Sequence, residues 1–311
     1  MRSEISPATA EALRYTVPPE LAGRSVRAVM LGPLGFSGGL FRSLKWRPGA
    51  ILCNGFPARA DTVLFPGDEL RVALQERRAP SPHAAACALP LQTVYEDGYL
   101  LVLDKPAGIA MHDKSGPSMA GALRAYLGPE YAAHFVSRLD RGVSGLCLAA
   151  KSGYLHDRFR EMLHTRALER EYLGLVHGRG VPDGGVIELP IAPAEDGFGR
   201  WRVHPDGKPS RTEFSVEARS GPLALLRLRP CTGRSHQLRV HLSAMGWPLA
   251  GDTRYGAPEA PGLDRPALHS CRLRFVHPVT GEHLEFDSPL PADIRALAGA
   301  PGGEGGGAAH V

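Results

Sequence analysis

No apolar run in this 311-residue chain approaches the ~20 residues that a helix needs to cross a bilayer. The opening stretch, Met1 to Tyr15, holds Glu4 and Glu11 and has no continuous apolar core, so no secretory signal is expected. A cytoplasmic location is therefore expected. Cysteine is sparse: the five stand at positions 53, 87, 147, 231 and 271, and no two form a Cys-x-x-Cys pair. An odd, scattered set argues against a disulfide framework and against a thiolate zinc site. Neither a Gly-rich dinucleotide fingerprint nor a cluster with metal-ligand spacing is found, so no cofactor and no metal are expected. Acidic residues are missing altogether from positions 21–60, where Arg24, Arg27, Arg42, Lys45, Arg47 and Arg59 stand.

What is present fits a folded protein. Hydrophobic residues make up 43% and charged residues 22%, ordinary proportions for a globular chain. The length allows one large domain beside a small one. The net charge of +4 is a weak pointer to nucleic acid; its distribution says more. Besides 21–60, the stretch 200–241 sets nine Arg or Lys against three acids. Two one-sign stretches in a nearly balanced chain suggest phosphate-facing surfaces, although Arg-rich chains also carry such runs by chance.

The organisation reads as a small unit over 1–76, a linker over 77–91, a large unit over 92–297 and a disordered tail over 298–311. The linker carries Arg77-Arg78, Pro80, Pro82 and an alanine run, with little to bury. The tail is rich in Gly and Ala. In the small unit, Val26 to Leu44 holds one or two short helices, broken around Gly32-Pro33 and Gly38-Gly39. Asn54-Gly55 predicts a tight hairpin turn, and Glu69 to Leu74 an alternating strand. In the large unit, Leu100–Leu103, Gly145–Ala150 and Tyr172–Val176 read as strands. Leu155, Phe159, Met162 and Leu163 fall at helical spacing behind a capping Ser152. Leu226 and Leu228 alternate with Arg227 and Arg229, a strand with one wet, basic face. Ser235 is placed to cap a short helix that runs to Met245 and ends at Gly246. Short intermixed elements suit an α+β fold better than a parallel doubly wound sheet.

Several groups carry candidate chemistry. In Arg138-Leu139-Asp140-Arg141-Gly142-Val143-Ser144-Gly145, an acid lies between two arginines in a glycine-flanked loop. Flanking cations favour an ionised carboxylate, which acts as nucleophile or base; a salt-bridged surface turn is the plainer reading. Thr232 to His241 contains Arg234 at a strand-to-helix junction, where an anion is favoured. His236 and His241 lie five apart, which is not the helical spacing of a metal pair. Lys105-Pro106-Ala107-Gly108 is a rigid turn whose lysine either meets phosphate or faces solvent. Gly251-Asp252-Thr253-Arg254-Tyr255-Gly256 alone is a polar turn, and Tyr172 alone is strand packing.

Together and in this order the motifs resemble those of the large-subunit-type (RluA-type) pseudouridine synthases. The match runs from Thr93-Val94-Tyr95-Glu96-Asp97 through Lys105–Gly108, Arg138–Gly145, Arg170–Tyr172, Gly233–His241 and Gly251–Gly256 to His277-Pro278. The resemblance implies an isomerase that acts on ribosomal or transfer RNA without a cofactor. Its catalytic domain would be built on a mixed, largely antiparallel sheet. It implies that Asp140 is the catalytic carboxylate, that Tyr172 stacks on the base and handles a proton, and that Arg234 pairs with Asp140. Arg138 resembles the arginine that fills the gap left by a flipped-out uridine. Lys105, Arg141 and Arg239 are expected to meet RNA as well. Ser137, Val143 and Arg170 depart from the family's usual His, Thr and Lys. The N-terminal unit resembles a diverged S4-type RNA-binding domain. A monomer is expected, and ribosomal RNA is slightly preferred over transfer RNA.

Two competing readings remain open on sequence. One is an RNA-binding protein with a non-catalytic synthase-like domain. The other is a glycosidase, which needs a second acid ~5–9 Å from the first.

Overall fold

The computed structural model describes residues 12–74, 86–113, 116–128, 134–178, 180–196 and 199–299. Residues 77–85 of the expected linker and the expected tail from 300 onward lie outside them. Ala298, by contrast, closes a short helix, Ala292–Ala298, whose Ile294 is buried.

The N-terminal residues form a four-stranded antiparallel sheet in the order Ala12–Thr16, Glu69–Ala73, Ile51–Cys53, Phe56–Pro57. Asn54 and Gly55 turn the hairpin with φ of +51° and +83°, the conformation that Asn-Gly tolerates. Two helices, Val26–Leu31 and Gly38–Leu44, pack Val26, Val29, Met30, Phe41 and Leu44 against the sheet. Gly38-Gly39 does not break the second helix. Ser37 caps it by accepting from the Leu40 N–H at 3.3 Å, so the glycines form its first turn and the break falls at Gly32 to Phe36.

A ten-stranded sheet follows. Its main path is Gly184–Glu188, Arg211–Ser220, Leu223–Pro230, Leu168–His177, Leu268–Val276, Ser144–Ala150, Leu100–Lys105, Gln92–Glu96. Among the described strands of this sheet one pairing is parallel, where Ser144 and Gly145 meet His269 and Ser270. The architecture is α+β with a mixed, mostly antiparallel sheet.

Leu100 to Leu103 is an unbroken apolar run because the sheet is covered on both faces. Leu100 and Val102 join the core that continues into the N-terminal helices, and Leu101 and Leu103 the core that holds Tyr172 and Leu238. The helix Gly153–Thr165 is capped by Ser152, which accepts from the Leu155 N–H. It buries Tyr154, Leu155 and Phe159 in the first core. Tyr154 stacks on Phe36, ring centroids 4.3 Å apart, and its hydroxyl donates to Leu34 O at 2.9 Å.

Gly145 sits at the parallel pairing with φ of +105°. A Cβ there would lie 2.2 Å from Ser270 O. Only glycine lets the two strands approach so closely at that angle.

The expected basic face of the Leu223–Pro230 strand is neutralised. Arg227 donates to Glu171 and Glu217, each at 2.7 Å, and Arg229 donates to Glu171 at 2.7 Å. Glu171 reaches them from the neighbouring strand, almost fully buried.

Candidate active site

The loop before the Ser144–Ala150 strand carries Asp140. Its backbone is clamped from three sides. Val143 N–H donates to Asp140 O at 3.0 Å, Gly108 N–H donates to Arg141 O at 2.8 Å, and Arg265 reaches Gly142 O at 3.4 Å. Arg265 is itself held in a fork by Asp293 at 2.8 and 2.9 Å.

Lys105 supplies a further clamp, which corrects its expected role. Its side chain is wholly buried. The ammonium donates to Pro106 O at 2.8 Å, Ile109 O at 2.9 Å and Arg141 O at 3.2 Å. It therefore ties the 106–109 turn to the Asp140 loop and meets neither solvent nor phosphate. Burial pushes it down to about 8, with the charge of Asp140 among the opposing influences.

The Asp140 carboxylate is 25% exposed, with its Oδ2 held by Arg239 Nη1 at 3.1 Å. This is a correction: the cation against Asp140 is Arg239, whereas Arg234 donates through Nε to Pro209 O at 3.2 Å. The reason lies in where the helix begins. Ser235 does not cap it. His236 takes a left-handed conformation (φ +54°), and the helix runs Gln237–Ala244. Gln237, buried, ties this start to the sheet. Its Oε1 accepts from Thr232 Oγ1 and the Arg234 N–H, and its Nε2 donates to Arg211 O and Thr212 Oγ1. That register turns Arg239 inward and leaves Arg234 on the surface strand junction.

Arg239 is buried and shared. Its Nε and Nη2 donate to Asp252 Oδ2 and Oδ1 at 2.7 and 2.8 Å. Its guanidinium carbon lies 4.7 Å from the centre of the Tyr255 ring. A planar fork serves two carboxylates and an aromatic face at once, which a lysine cannot do. Asp252 raises the Arg239 pKa against burial, so the cation is permanent. Arg239 is thus spent on the protein's own acids and does not stand free for RNA.

Tyr172 lies on the Leu168–His177 strand, opposite Leu228 on one side and Ser270 on the other. Burial pushes its phenol above the ordinary value, with Arg170 opposing and Asp140 adding to the rise. Arg138 and Arg141 are exposed on the Asp140 loop. Arg141 pairs with Asp113 at 2.8 Å. Arg138 makes no ion pair among the described residues and is the cation of this loop that points to open solvent.

Three residues of this site were not read as functional from sequence: Asp252, Tyr255 and His236. The first two lie in the Gly251–Gly256 turn. Asp252 is the acid that completes the Arg239 fork, and Tyr255 touches both Arg239 and His236. The signal was an acid and an aromatic between two glycines, which alone looks like any polar turn. A glycosidase is poorly served, because the second acid, Asp252, is 1% exposed and engaged on both oxygens by Arg239.

The sheet defines the class: the fold is that of the pseudouridylate synthases. A solved human protein, RNA pseudouridylate synthase domain containing 1, superposes with a TM-score of 0.52 at 28% identity, over 64% of this chain and 83% of that one. The family model for RNA pseudouridylate synthase matches residues 99–244, a span that holds Asp140, Tyr172 and Arg239. The Bacillus subtilis protein called uncharacterized RNA pseudouridine synthase YjbO is 35% identical over 86% of this chain and 95% of its own. Escherichia coli ribosomal large subunit pseudouridine synthase C is 36% identical over 80% of this chain and 84% of its own. The chain belongs to the RluA-type RNA pseudouridine synthase family, an isomerase that converts uridine in RNA to pseudouridine.

Proposed function

We propose that this enzyme isomerises uridine in ribosomal RNA with Asp140 as the acting carboxylate, Arg239 as its counter-ion and Tyr172 beneath the base. The observation that carries this reading is the Asp140–Arg239 ion pair. Asp140 alone of the site's acids stays partly exposed, while a buried, permanently charged arginine holds one of its oxygens.

The reaction breaks the N1–C1′ bond, turns the uracil, joins C5 to C1′, releases the C5 proton and returns one to N1. Atoms and electrons balance without a redox partner. The carboxylate must carry charge when it acts, and the Arg239 ion pair supports that. The clamps from Lys105, Gly108 and Arg265 hold the loop so that little reorganisation accompanies the step. After C5 attachment the extra proton must leave. The raised pKa of Tyr172 makes its phenol a donor or relay rather than a base by itself. The target uridine has to leave its stack, at a cost of a few kcal/mol. The exposed Arg138 is suited to fill the vacated space.

Ribosomal RNA is favoured because the similar E. coli protein is named for it. The N-terminal unit is read as an S4-like RNA-binding domain, and a monomer and a cytoplasmic location are part of the same reading. A cavity of about 320 Å³ lined by Arg27, Phe41, Arg42 and Lys45 supports the RNA contact, in a stretch without acids. Lys45 lies over the exposed Trp46 ring at 4.7 Å. No helix among the described residues is long and apolar enough to cross a membrane.

The test is tritium release to water from RNA labelled at uracil C5. Wild type should release it and Asp140→Ala should not. Equal release by both would remove Asp140 from the mechanism.

A further inference from the structure

His236 and the Thr253–Tyr255 turn meet beside Asp140. His236 Nδ1 lies 2.7 Å from the Tyr255 hydroxyl. The rings meet edge to face, centroids 5.7 Å apart and planes at 89°. On the far side of the imidazole, Nε2 lies 3.8 Å from Asp140 Oδ1. Arg239 holds the other oxygen, Oδ2. The carboxylate therefore has a cation on one oxygen and an imidazole edge facing the other.

Hydrogen-bond accounting favours one position for the imidazole proton. The Tyr255 oxygen already accepts from the Trp201 backbone N–H at 3.1 Å. A phenol has one proton to give, and the nearest acceptor for it is His236 Nδ1. A neutral imidazole with an accepting Nδ1 carries its proton on Nε2. That N–H faces Asp140. In the reverse arrangement Nδ1–H donates to a phenol oxygen that already accepts from Trp201. The phenol then exchanges its histidine acceptor for water, and a bare Nε2 lone pair confronts a carboxylate.

The charged and titratable groups around this ring are Asp140, Asp252, Arg239, Arg254 and Tyr255. Burial pushes the imidazole below its ordinary value, against the pull of Asp140 and with Arg239 and Arg254 assisting. The ring is thus neutral at neutral pH. The backbone adds a second sign of purpose. His236 stands at φ +54°, a conformation uncommon for residues with a β-carbon and kept where a side chain must be aimed.

We propose that His236 is a positioning residue for the reaction: a neutral donor, set in its Nε2–H tautomer by Tyr255, that orients the Asp140 oxygen left free by Arg239. A neutral donor can direct that oxygen without cancelling the carboxylate's charge, as a second cation would. At 3.8 Å the gap is longer than the ~2.9 Å of an ordinary hydrogen bond, so in this geometry the N–H acts on the oxygen as an oriented dipole. The proposal rests on the reading of Asp140 as the acting carboxylate.

The tautomer can be read directly. Long-range proton–nitrogen spectra of the full chain, with the His236 signals assigned by their loss in His236→Asn, should show the Nε2–H form at pH 7.5. In Tyr255→Phe, which keeps the ring over Arg239, the tautomers should mix. kcat should fall about tenfold, the worth of one hydrogen bond to a charged group, with KM for RNA unchanged. The acid limb of kcat should move to higher pH, because Nδ1 no longer holds the phenol proton and takes up one from solvent more readily. His236→Asn tolerates the positive φ and keeps a donor, so it should retain more rate than His236→Ala.

A wild-type Nδ1–H or protonated form at pH 7.5 overturns the proposal, and that measurement needs no variant to fold. So does a Tyr255→Phe enzyme with unchanged kcat and acid limb. Asp140→Ala separates the two claims. If it still releases tritium, the Asp140 reading falls and takes the proposal with it. If it is inert while the wild-type ring is Nδ1–H, the positioning role alone falls.

Discussion

Arg239 Nη1 stands 3.1 Å from Asp140 Oδ2 across ninety-nine residues of sequence. The contact exists because Asp252 holds the rest of the guanidinium in a buried fork. Breaking such a pair strands a buried charge, at a cost of about 3–5 kcal/mol. Asp252→Asn should therefore lower the unfolding free energy by roughly that amount in urea titrations and depress tritium release. Arg239→Lys keeps the charge but cannot serve two carboxylates. It should lower kcat by at least about tenfold, while the fold survives by circular dichroism.

Lys105 offers a prediction with a definite sign. Its folded value lies near 8, against an ordinary 10.5. At pH below about 8 it is protonated in both folded and unfolded chains and contributes no slope. Between about 8 and 10.5 the unfolded chain binds the extra proton, so stability rises with pH through this group. Urea midpoints measured from pH 7 to 10.5 should show a rising contribution in wild type that Lys105→Met lacks. Identical pH dependence in the two proteins would contradict a buried, depressed lysine. The variant should also lose activity at every pH, since the 106–109 turn is no longer tied to the Asp140 loop.

Gly145→Ala should be among the costliest single-methyl changes in the chain. It adds a Cβ 2.2 Å from the Ser270 carbonyl oxygen at φ +105°. The parallel pairing must open or the backbone must leave that region, for a loss of at least about 2 kcal/mol. A denaturation midpoint within error of wild type would refute the close approach.

The elements most legible in the sequence were those whose signal is local. Leu100 to Leu103 reads as a strand because four apolar residues in a row suit a doubly covered sheet. Asn54-Gly55 specifies its hairpin by backbone preference alone. Ser152 announces a helix whose apolar spacing follows at once. The acid loop at Asp140 was also visible, through its arginines and glycines. The partner arginine was not. Choosing between Arg234 and Arg239 depends on whether Ser235 or His236 takes the cap position of the helix. The deciding interaction is the Gln237 amide on Arg211 and Thr212, more than twenty residues upstream. Lys105 misled for a similar reason: its three carbonyl partners converge only when the Arg141 loop folds back over the turn. The basic look of Arg227 and Arg229 vanished because Glu171, 56 and 58 residues earlier, lies beside them in the sheet. Long-range pairing of charges leaves no periodic trace in one sequence.

Tyr154 packs the helix Gly153–Thr165 against the loop that joins the two N-terminal helices. Its ring stacks on Phe36 and its hydroxyl donates to Leu34 O, while Leu155 and Phe159 of the same helix sit in the shared core. Such packing sets the distance between the Arg27–Lys45 surface and Asp140, which under the proposed function is the spacing of two contacts on one RNA. Truncating a buried aromatic costs about 3–5 kcal/mol. Tyr154→Ala should therefore loosen this junction, seen as a lower urea midpoint. It should raise KM for a large structured RNA severalfold, because the second contact is no longer held at a fixed distance. On a short stem-loop that reaches only the Asp140 site, kcat should stay near wild type. If both RNAs lose kcat equally, the junction instead supports the catalytic loop, and the N-terminal surface has no separate part in choosing RNA.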